Sequence, residues 1–191
     1  PGRPVFLVAL SMGGHLAFRS VARLGKRISG VVALSPGFKG RRTPLLLIAR
    51  VLFYMLINPR RVLPSIVNTP LTTRNQVHLA AIEKDPHWVR AFTARFYWAT
   101  LASLSKAFKE MRQITCPVLV LQGGVDHIVD PVAGRRYFDQ LASVDKEFRI
   151  LSGVYHNLIA EPEMPDLALE IAAWIKERAT GEPAKTAAEG G

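Results

Sequence analysis

The stretch between Pro4 and Gly14 constrains the fold most, because it joins a buried strand to a helix through an abrupt turn. Five consecutive apolar residues, Val5 to Ala9, predict the strand, and apolar residues at helical spacing follow the turn. Gly25 is expected to end this helix, and the apolar run Gly30–Leu34 predicts a second buried strand. A strand, a helix and a strand in succession predict a βαβ unit within a parallel sheet.

Ser11 lies at the turn, with the small residues Ala9 and Gly13 two positions to either side. In a G-x-S-x-G turn, very small flanking residues let the backbone turn tightly enough to present the serine hydroxyl as a nucleophile. Alanine replaces the first glycine here. From this stretch alone two interpretations stay open, a nucleophile or a helix N-cap, since serine is also a preferred N-cap residue.

Two later strands each end close to a residue that could activate a serine. The segment Pro117–Asp126 contains an apolar run, then a glycine pair and then the aspartate. The segment Glu147–Leu151 predicts the last strand, and His156 follows it. Ligands of open parallel sheets lie outside the carboxyl ends of the strands, so we expect Ser11, Asp126 and His156 to meet at one edge.

Each of these residue types has a separate task in acyl transfer. Neutral serine is a poor nucleophile, so the His156 imidazole would take its proton and later deliver it to the leaving group. Asp126 would fix the imidazole tautomer and stabilise the imidazolium. The backbone N–H of Met12, directly after Ser11, would be one oxyanion-hole donor. The order Ser11, Asp126, His156 therefore predicts a catalytic triad.

Other candidates fit these roles less well. Asp130 could replace Asp126 as the acid, but it precedes Pro131 and is expected to cap the next helix. His127 is adjacent to Asp126, so its side chain should point elsewhere. His15 lies in the first turn of its helix without a second ligand nearby, which favours a packing or solvent-exposed histidine over a metal ligand. No H-E-x-x-H or comparable spacing occurs, and we expect neither a metal ion nor a cofactor.

The middle of the chain, residues 38–115, contains no clear strand and is predicted to be helical. Pro44–Ile57 is almost continuously apolar but too short to span a bilayer, so it either packs into a core or lies on a lipid surface with flanking arginines near the headgroups. Asn75–Lys84 predicts a second helix. His87–Lys109 predicts an aromatic-rich helical region, which is either plain core or a cap that covers the site with an apolar pocket.

Composition sets the outer limits. With 191 residues and 49% hydrophobic content, the chain can bury a substantial core, which excludes a wholly disordered protein. The net charge of +10 could favour anionic partners, but the basic residues are dispersed and no nucleic-acid-binding motif accompanies them, so we expect no nucleic acid. A single cysteine, Cys116, excludes an internal disulfide, weakly favours a reducing compartment and is interpreted as a small buried hydrophobe.

These elements predict an α/β fold with a mostly parallel sheet and helices on both faces. Residues 1–37 form the first part of the core with the turn at Ser11, residues 38–115 a helical cap, and residues 116–179 the remaining core. Pro165–Arg178 is the predicted closing helix, with Leu167, Leu169, Ile171, Trp174 and Ile175 facing inward. Residues 180–191 are expected to be a disordered tail.

Three motifs together carry a family resemblance: Ala9-Leu-Ser-Met-Gly-Gly14, Gly123-Gly-Val-Asp-His-Ile-Val-Asp-Pro131 and Tyr155-His-Asn-Leu-Ile-Ala-Glu-Pro162. With Asp85-Pro86 and Thr93-Ala-Arg95 in the predicted cap, they resemble the monoacylglycerol lipase and lysophospholipase group of α/β-hydrolases, also described as serine aminopeptidase-like. The resemblance covers the chain nearly to Arg178. It implies the C-terminal part of an α/β-hydrolase fold and a triad at the positions named above. It also implies a mobile helical cap that admits a monoacyl lipid or similar ester.

The resemblance also implies what this chain should lack. The family has several strands before the serine turn and a His-Gly loop that supplies the second oxyanion donor, and neither is present here. Loss of one such donor costs roughly 3–4 kcal/mol of transition-state stabilisation. We therefore expect an N-terminally truncated chain, inactive or impaired by itself, whose full-length parent is a serine esterase or lipase. Its expected location is cytoplasmic, with peripheral membrane contact through the cap as an addition.

Two hypotheses from other classes stay open beside the hydrolase. The chain could be a non-catalytic, hydrolase-like binding module for an apolar ligand, in which Ser11 has no chemical role. The basic and apolar segment from Arg41 to Arg61 could instead serve chiefly as a membrane-docking element.

Overall fold

The computed structural model describes residues 3–41 and 44–180. Twelve helices and strands follow one another along this part of the chain: β1 (Phe6–Leu10), α1 (Met12–Leu24), β2 (Gly30–Leu34), α2 (Leu45–Ile57), β3 (Val62–Pro64), α3 (Gln76–Lys84), β4 (Ala91–Thr93), α4 (Ala94–Glu110), β5 (Val118–Gly123), α5 (Pro131–Asp139), β6 (Lys146–Leu151) and α6 (Met164–Thr180). The four strands β1, β2, β5 and β6 form a parallel sheet in that order. Because the strands are parallel, β1, β5 and β6 end at the same edge of the sheet, and the predicted site residues follow these ends.

The two central strands, β2 and β5, are buried on both faces of the sheet, and their alternate side chains point to opposite sides. On one face, Val31, Ala33, Val118 and Val120 pack with α1, the end of α5 and the turn after α4. On the other face, Val32, Leu34, Leu119 and Leu121 pack with Leu167, Ile171 and Trp174 of α6. The predicted α/β fold with helices on both faces is therefore confirmed.

The middle segment departs from the helical prediction, since β3 and β4 pair as a short antiparallel sheet. The predicted helix over His87–Lys109 is wrong at its start, because α4 begins only at Ala94. Thr93 is the N-cap of α4, and its side chain accepts a hydrogen bond from the Phe96 N–H. Trp88 and Phe92 consequently lie outside the helix.

Helix α2 packs into a core on one side only, and its contact with a lipid surface stays a prediction. Val51 is buried, and Leu47, Tyr54 and Met55 pack around it on one side of the helix. Six other large apolar side chains of this helix are exposed, namely Leu45, Leu46, Leu52, Phe53, Leu56 and Ile57. No helix within the described residues combines the length and apolar character that crossing a bilayer requires.

The second half of α4 belongs to the packing of the main sheet. The Arg19 guanidinium of α1 donates to Glu110 at 2.9 Å and to Ser103 at 3.1 Å. Phe108 packs edge-on against Tyr137 of α5, with 4.8 Å between the ring centroids. Phe108 therefore does not join the aromatic residues of the predicted cap. The division of the chain at residues 37 and 115 stays a prediction.

The closing helix α6 extends to Thr180, two residues beyond its predicted end. Leu167, Ile171 and Trp174 face the sheet as predicted, and Ile175 packs partly against them. The inward placement of Leu169 is wrong, because it lies on the opposite side of the helix and is 72% exposed. The predicted tail beyond Thr180 lies outside the described residues.

Gly123 gives a test of how closely the strand ends approach one another. A Cβ at this position would lie 2.8 Å from the Val154 carbonyl oxygen and also collide with the backbone of Tyr155. We expect Gly123→Ala to lower the free energy of unfolding by roughly 1–3 kcal/mol, as overpacking does elsewhere. Urea denaturation measures this change.

The matched control is Gly13→Ala, because its Cβ would lie 3.7 Å from the Ala9 Cβ, an ordinary contact. This variant should shift the free energy of unfolding by less than about 1 kcal/mol, the usual range for glycine–alanine differences in a helix. Equal destabilisation by both substitutions would contradict the close approach at Gly123.

Candidate active site

Ser11 occupies a strained turn between β1 and α1. Its backbone angles are φ 54° and ψ −120°, in the left-handed half of conformational space that non-glycine residues rarely enter. Such a conformation costs about 1–3 kcal/mol and persists only where neighbouring groups hold it. Here the Ser11 N–H donates to Leu34 O at 2.9 Å, and its carbonyl accepts from Gly37 N at 2.8 Å and Gly14 N at 2.9 Å.

The hydroxyl of Ser11 does not cap α1, although the residue stands at the N-cap position. Its Oγ instead lies 2.8 Å from His156 Nε2. The helix-cap interpretation of Ser11 is therefore wrong. The alanine that replaces the first glycine of the motif fits, because even a Cβ on Gly13 would stay 3.7 Å from the Ala9 Cβ, an ordinary contact distance.

His156 connects Ser11 to Asp126. Its Nδ1 lies 2.8 Å from Asp126 Oδ2, and the side chain of the aspartate is fully buried. An ionised carboxylate can only accept hydrogen bonds, so Nδ1 donates to Asp126, and Nε2 is the ring nitrogen that faces the Ser11 hydroxyl. The structure thus brings together all three residues that the sequence predicts for the site.

Asp126 is held by more donors than the histidine alone. Its Oδ1 accepts from the N–H groups of Ile128 and Val129 at 2.8 and 2.9 Å, and its Oδ2 accepts from Gln122 Nε2 at 2.9 Å. Burial by itself raises the pKa of Asp126, but the hydrogen bond and charge of His156 and the two backbone N–H groups outweigh it. The pKa of the carboxyl consequently lies below its ordinary value, which keeps it ionised beside His156.

A second buried carboxylate, Glu161, holds the loop that carries His156. Its Oε1 accepts from the Thr73 hydroxyl at 2.6 Å and from Arg74 N at 2.7 Å, and its Oε2 accepts from the Arg74 guanidinium at 2.7 Å. The Tyr155 N–H, next to His156, also donates to Oε2 at 3.3 Å. Burial raises the pKa of Glu161, but the hydrogen bonds from these donors lower it by more, so the pKa lies below its ordinary value. The loop is therefore fastened to residues 73–74 of the middle segment.

Met12 begins α1, and the first N–H groups of a helix have no intrahelical acceptor. Gly37 lies directly beside this group, since a Cβ on Gly37 would stand 3.2 Å from the Met12 nitrogen. Both residues line the cavity beside Ser11. The role of the Met12 N–H as an oxyanion donor stays a prediction.

The competing residues take other positions. Asp130 caps α5 by accepting from Val132 N at 3.0 Å, as predicted. His127 packs edge-on against the Tyr155 ring, with centroids 5.0 Å apart. Across residues 3–41 and 44–180, no group of three or more His, Cys, Asp or Glu side chains could hold a metal ion.

A cavity of about 280 Å³ opens beside Ser11. Its walls come from the start of α1, from α2 and from the segment between β4 and the middle of α4. Most of the lining is apolar: Met12, Leu47, Ile48, Val51, Ile66, Val67, Phe92, Phe96, Leu101 and Leu104. The rings of Phe92 and Phe96 stack at 4.5 Å in this wall. The arrangement offers an apolar chain a place next to the serine hydroxyl.

His15 also lines this cavity, one helical turn after Ser11. It is 1% exposed, so the solvent-exposed alternative is wrong, and neither ring nitrogen has a hydrogen-bond partner among the described residues. Burial, together with the nearby charge of Arg19, lowers the pKa of His15 to about 4. A buried polar atom without a partner costs roughly 1–3 kcal/mol.

The sequence reasoning missed Gln122 and Glu161 as site residues. Gln122 gave a usable signal, because it is a polar residue at the end of an otherwise apolar buried strand. Glu161 gave none, since its partners Thr73 and Arg74 are separated from it by 88 and 87 residues and only the fold brings them together.

Comparison with known proteins identifies the family to which this chain belongs. The family model described as "Serine aminopeptidase, S33" matches residues 1–163. A phospholipase of Bacillus subtilis, YtpA, is 31% identical over 168 residues, which cover 86% of this chain and 64% of the relative. Human monoglyceride lipase is 30% identical over 189 residues, which cover 93% of this chain and 60% of the relative. The chain thus spans somewhat under two thirds of the length of these relatives.

Solved structures agree. The monoacylglycerol lipase of Paleococcus ferrophilus superposes with a TM-score of 0.85 at 28% identity, covering 93% of this chain and 70% of that one. A soluble variant of the Saccharomyces cerevisiae monoglyceride lipase, solved with a substrate analogue, superposes with a TM-score of 0.81 at 19% identity, over 92% of this chain and 62% of that one, and supports the fold alone. The chain belongs to the serine aminopeptidase S33 family of α/β-hydrolases, in the group that contains the monoglyceride lipases.

Proposed function

We propose that this chain carries the nucleophile, acid and base of a serine hydrolase that cleaves carboxylic esters of monoacyl lipids, such as monoacylglycerols or lysophospholipids. The observation that carries the proposal is the chain of two 2.8 Å hydrogen bonds from Ser11 through His156 to Asp126. The strained backbone of Ser11 supports it, because a turn of this kind presents the hydroxyl at the edge of the sheet.

In the proposed reaction, Ser11 Oγ attacks the ester carbonyl carbon while its proton passes to His156 Nε2. The negative charge that develops on the carbonyl oxygen is stabilised by the Met12 N–H, and Asp126 stabilises the imidazolium. Collapse of the tetrahedral intermediate transfers the proton from His156 to the departing alcohol and leaves an acyl-serine. A water molecule, deprotonated by His156, then releases the fatty acid and restores Ser11.

The cavity lining supports a lipid rather than a peptide as substrate. A free peptide amino terminus carries a positive charge, and desolvating it requires a carboxylate partner. Among the described residues, the lining contains no aspartate or glutamate, and its largest surfaces are aliphatic and aromatic. The names of the related phospholipase and monoglyceride lipases agree with this choice of substrate class.

The first test is covalent labelling with a fluorophosphonate probe of the full-length protein that contains this chain, since the chain by itself is expected to be inactive or impaired. We expect labelling of wild-type protein and none of Ser11→Ala, with turnover of monoacylglycerols reduced by roughly four to six orders of magnitude, as for other serine triads. Mass spectrometry of the labelled peptide identifies the modified residue.

Ser65→Ala is the matched control, because Ser65 lines the same cavity while its Oγ accepts from Val67 N at 3.1 Å. This variant should keep both labelling and turnover. If the folded wild-type protein is not labelled at Ser11, the hydrolase proposal fails, and the alternative of a non-catalytic module that binds an apolar ligand is supported.

We also propose that α2 touches a lipid surface when the protein takes up its substrate. Leu45 and Leu56 are 83% and 88% exposed on this helix, an unfavourable arrangement for large apolar side chains in water. Arg50 lies on the same helix, and Arg60 and Arg61 follow it, where they could interact with anionic headgroups. This contact would bring the cavity wall formed by α2 close to the source of monoacyl lipids.

Co-sedimentation with vesicles tests this contact. Binding should increase with the anionic lipid fraction and decrease with salt, since the Debye length falls to about 3 Å at 1 M. Leu56→Gln should weaken binding about ten-fold, because burial of one leucine contributes roughly 1.5–3 kcal/mol.

The control is Leu169→Gln, which removes a similarly exposed leucine from α6 (72% exposed) and should leave vesicle binding unchanged. If vesicle binding changes neither with the anionic lipid fraction nor in the Leu56→Gln variant, α2 is ruled out as the docking element.

A further inference from the structure

His15 is a polar side chain in a mostly apolar cavity, and its position relates it directly to the acyl group. It lies in the first turn of α1, four residues after Ser11. Both residues line the same cavity. A chain attached to Ser11 Oγ through its carbonyl carbon would pass His15 within a few carbon atoms.

The hydrogen-bonding capacity of His15 is unused within the described residues. The residue is 1% exposed, and neither Nδ1 nor Nε2 has a partner there. The lowered pKa of about 4 keeps the ring neutral near pH 7, so one nitrogen can donate and the other can accept. Buried polar groups are rarely left in this state, which points to a partner that the ligand supplies.

The neighbouring polar groups are already engaged with other partners. Arg19, one turn further along α1, donates to Glu110 and Ser103. The Thr100 hydroxyl donates to Phe96 O at 2.9 Å, and the Tyr97 hydroxyl donates to Pro64 O at 2.8 Å. His15 therefore differs from the other polar residues near this cavity in having both of its hydrogen-bonding atoms unoccupied.

We propose that His15 hydrogen-bonds a hydroxyl group on the acyl chain, so that the site prefers hydroxyacyl esters to the corresponding unsubstituted esters. The inference rests on the proposed function, since it takes Ser11 as the residue that receives the acyl group. A hydroxyl suits a neutral imidazole because it can both donate and accept. The apolar walls disfavour a charged substituent at the same depth.

The test uses the intact protein and 1-monoacylglycerols of octanoic acid and of its isomers hydroxylated at single positions from carbon 3 to carbon 8. Glycerol is the common leaving group, so differences in kcat/KM report on the acyl chain. We expect wild-type protein to prefer at least one isomer over plain octanoate by about ten-fold or more, in the range that a satisfied hydrogen bond provides.

His15→Leu should abolish that preference, because leucine cannot hydrogen-bond the hydroxyl of the acyl chain. Its thermal melting temperature should equal or exceed that of wild type, which verifies folding. Thr100→Val is the matched control: it removes a hydroxyl from the same cavity lining, and it should retain the preference within about two-fold.

The failures of the two proposals can be told apart. If Ser11 is labelled but no isomer is preferred, or if His15→Leu keeps the preference, the role of His15 is overturned and the hydrolase proposal stands. If His15→Leu instead changes only the ratio between glyceryl and methyl octanoate, His15 contacts the alcohol group and the inference is wrong.

If Ser11 is not labelled, the role of His15 can be tested without catalysis by measuring the binding of fatty acids. Displacement of a fluorescent fatty acid from Ser11→Ala protein by hydroxyoctanoates and octanoate should show the same preference, and adding His15→Leu should remove it. Equal displacement by all the acids would overturn the inference.

Discussion

The backbone of Ser11 is the constraint on which the rest of the site depends. A serine with φ 54° is held in place only because Leu34, at the end of β2, accepts its N–H, and Gly37 and Gly14 donate to its carbonyl. These bonds require β1 and β2 to be parallel and in register, so that Leu10 and Leu34 end side by side. The buried sheet therefore supplies the energy that maintains the strained turn.

Two buried carboxylates hold His156 in position relative to the sheet. Asp126 follows β5 and fixes one ring nitrogen, while Glu161 fixes the loop through Tyr155 and ties it to Thr73 and Arg74. Both have lowered pKa values, because their donors outweigh the effect of burial. The imidazole is thus oriented from the sheet on one side and from the middle segment on the other.

Sequence patterns predicted the parts of the structure that local chemistry determines. The apolar run Gly30–Leu34 became a strand with those bounds, and the helix predicted over Asn75–Lys84 is observed from Gln76 to Lys84, with Asn75 as its N-cap. The meeting of Ser11, Asp126 and His156 could be expected because parallel strands end at one edge.

The pairs that the sequence could not predict depend on long-range packing. The three-residue strands β3 and β4 are too short for a periodic signal and form only because they pair with each other. The exposure of Leu169 and the burial of His15 depend on which helix face meets a neighbour. The partners of Glu161 lie 87 and 88 residues away along the chain.

Two parts of the middle segment are attached to the rest of the molecule in different ways: residues 72–74, which contact the His156 loop, and helix α2, which lines the cavity beside Ser11. Thr72 to Arg74 are bonded to the His156 loop through a buried carboxylate and through the bond from Asn157 N to Thr72 O at 2.7 Å. Moving residues 72–74 away would leave the buried carboxylate of Glu161 without these partners, which is strongly unfavourable. Helix α2, by contrast, has one buried residue, Val51, and is held by the apolar packing around it. Substrate entry that displaces α2 would preserve the hydrogen bonds that orient His156, whereas entry past Thr73 would break them. The physical asymmetry favours the α2 side as the route by which a ligand enters the cavity beside Ser11.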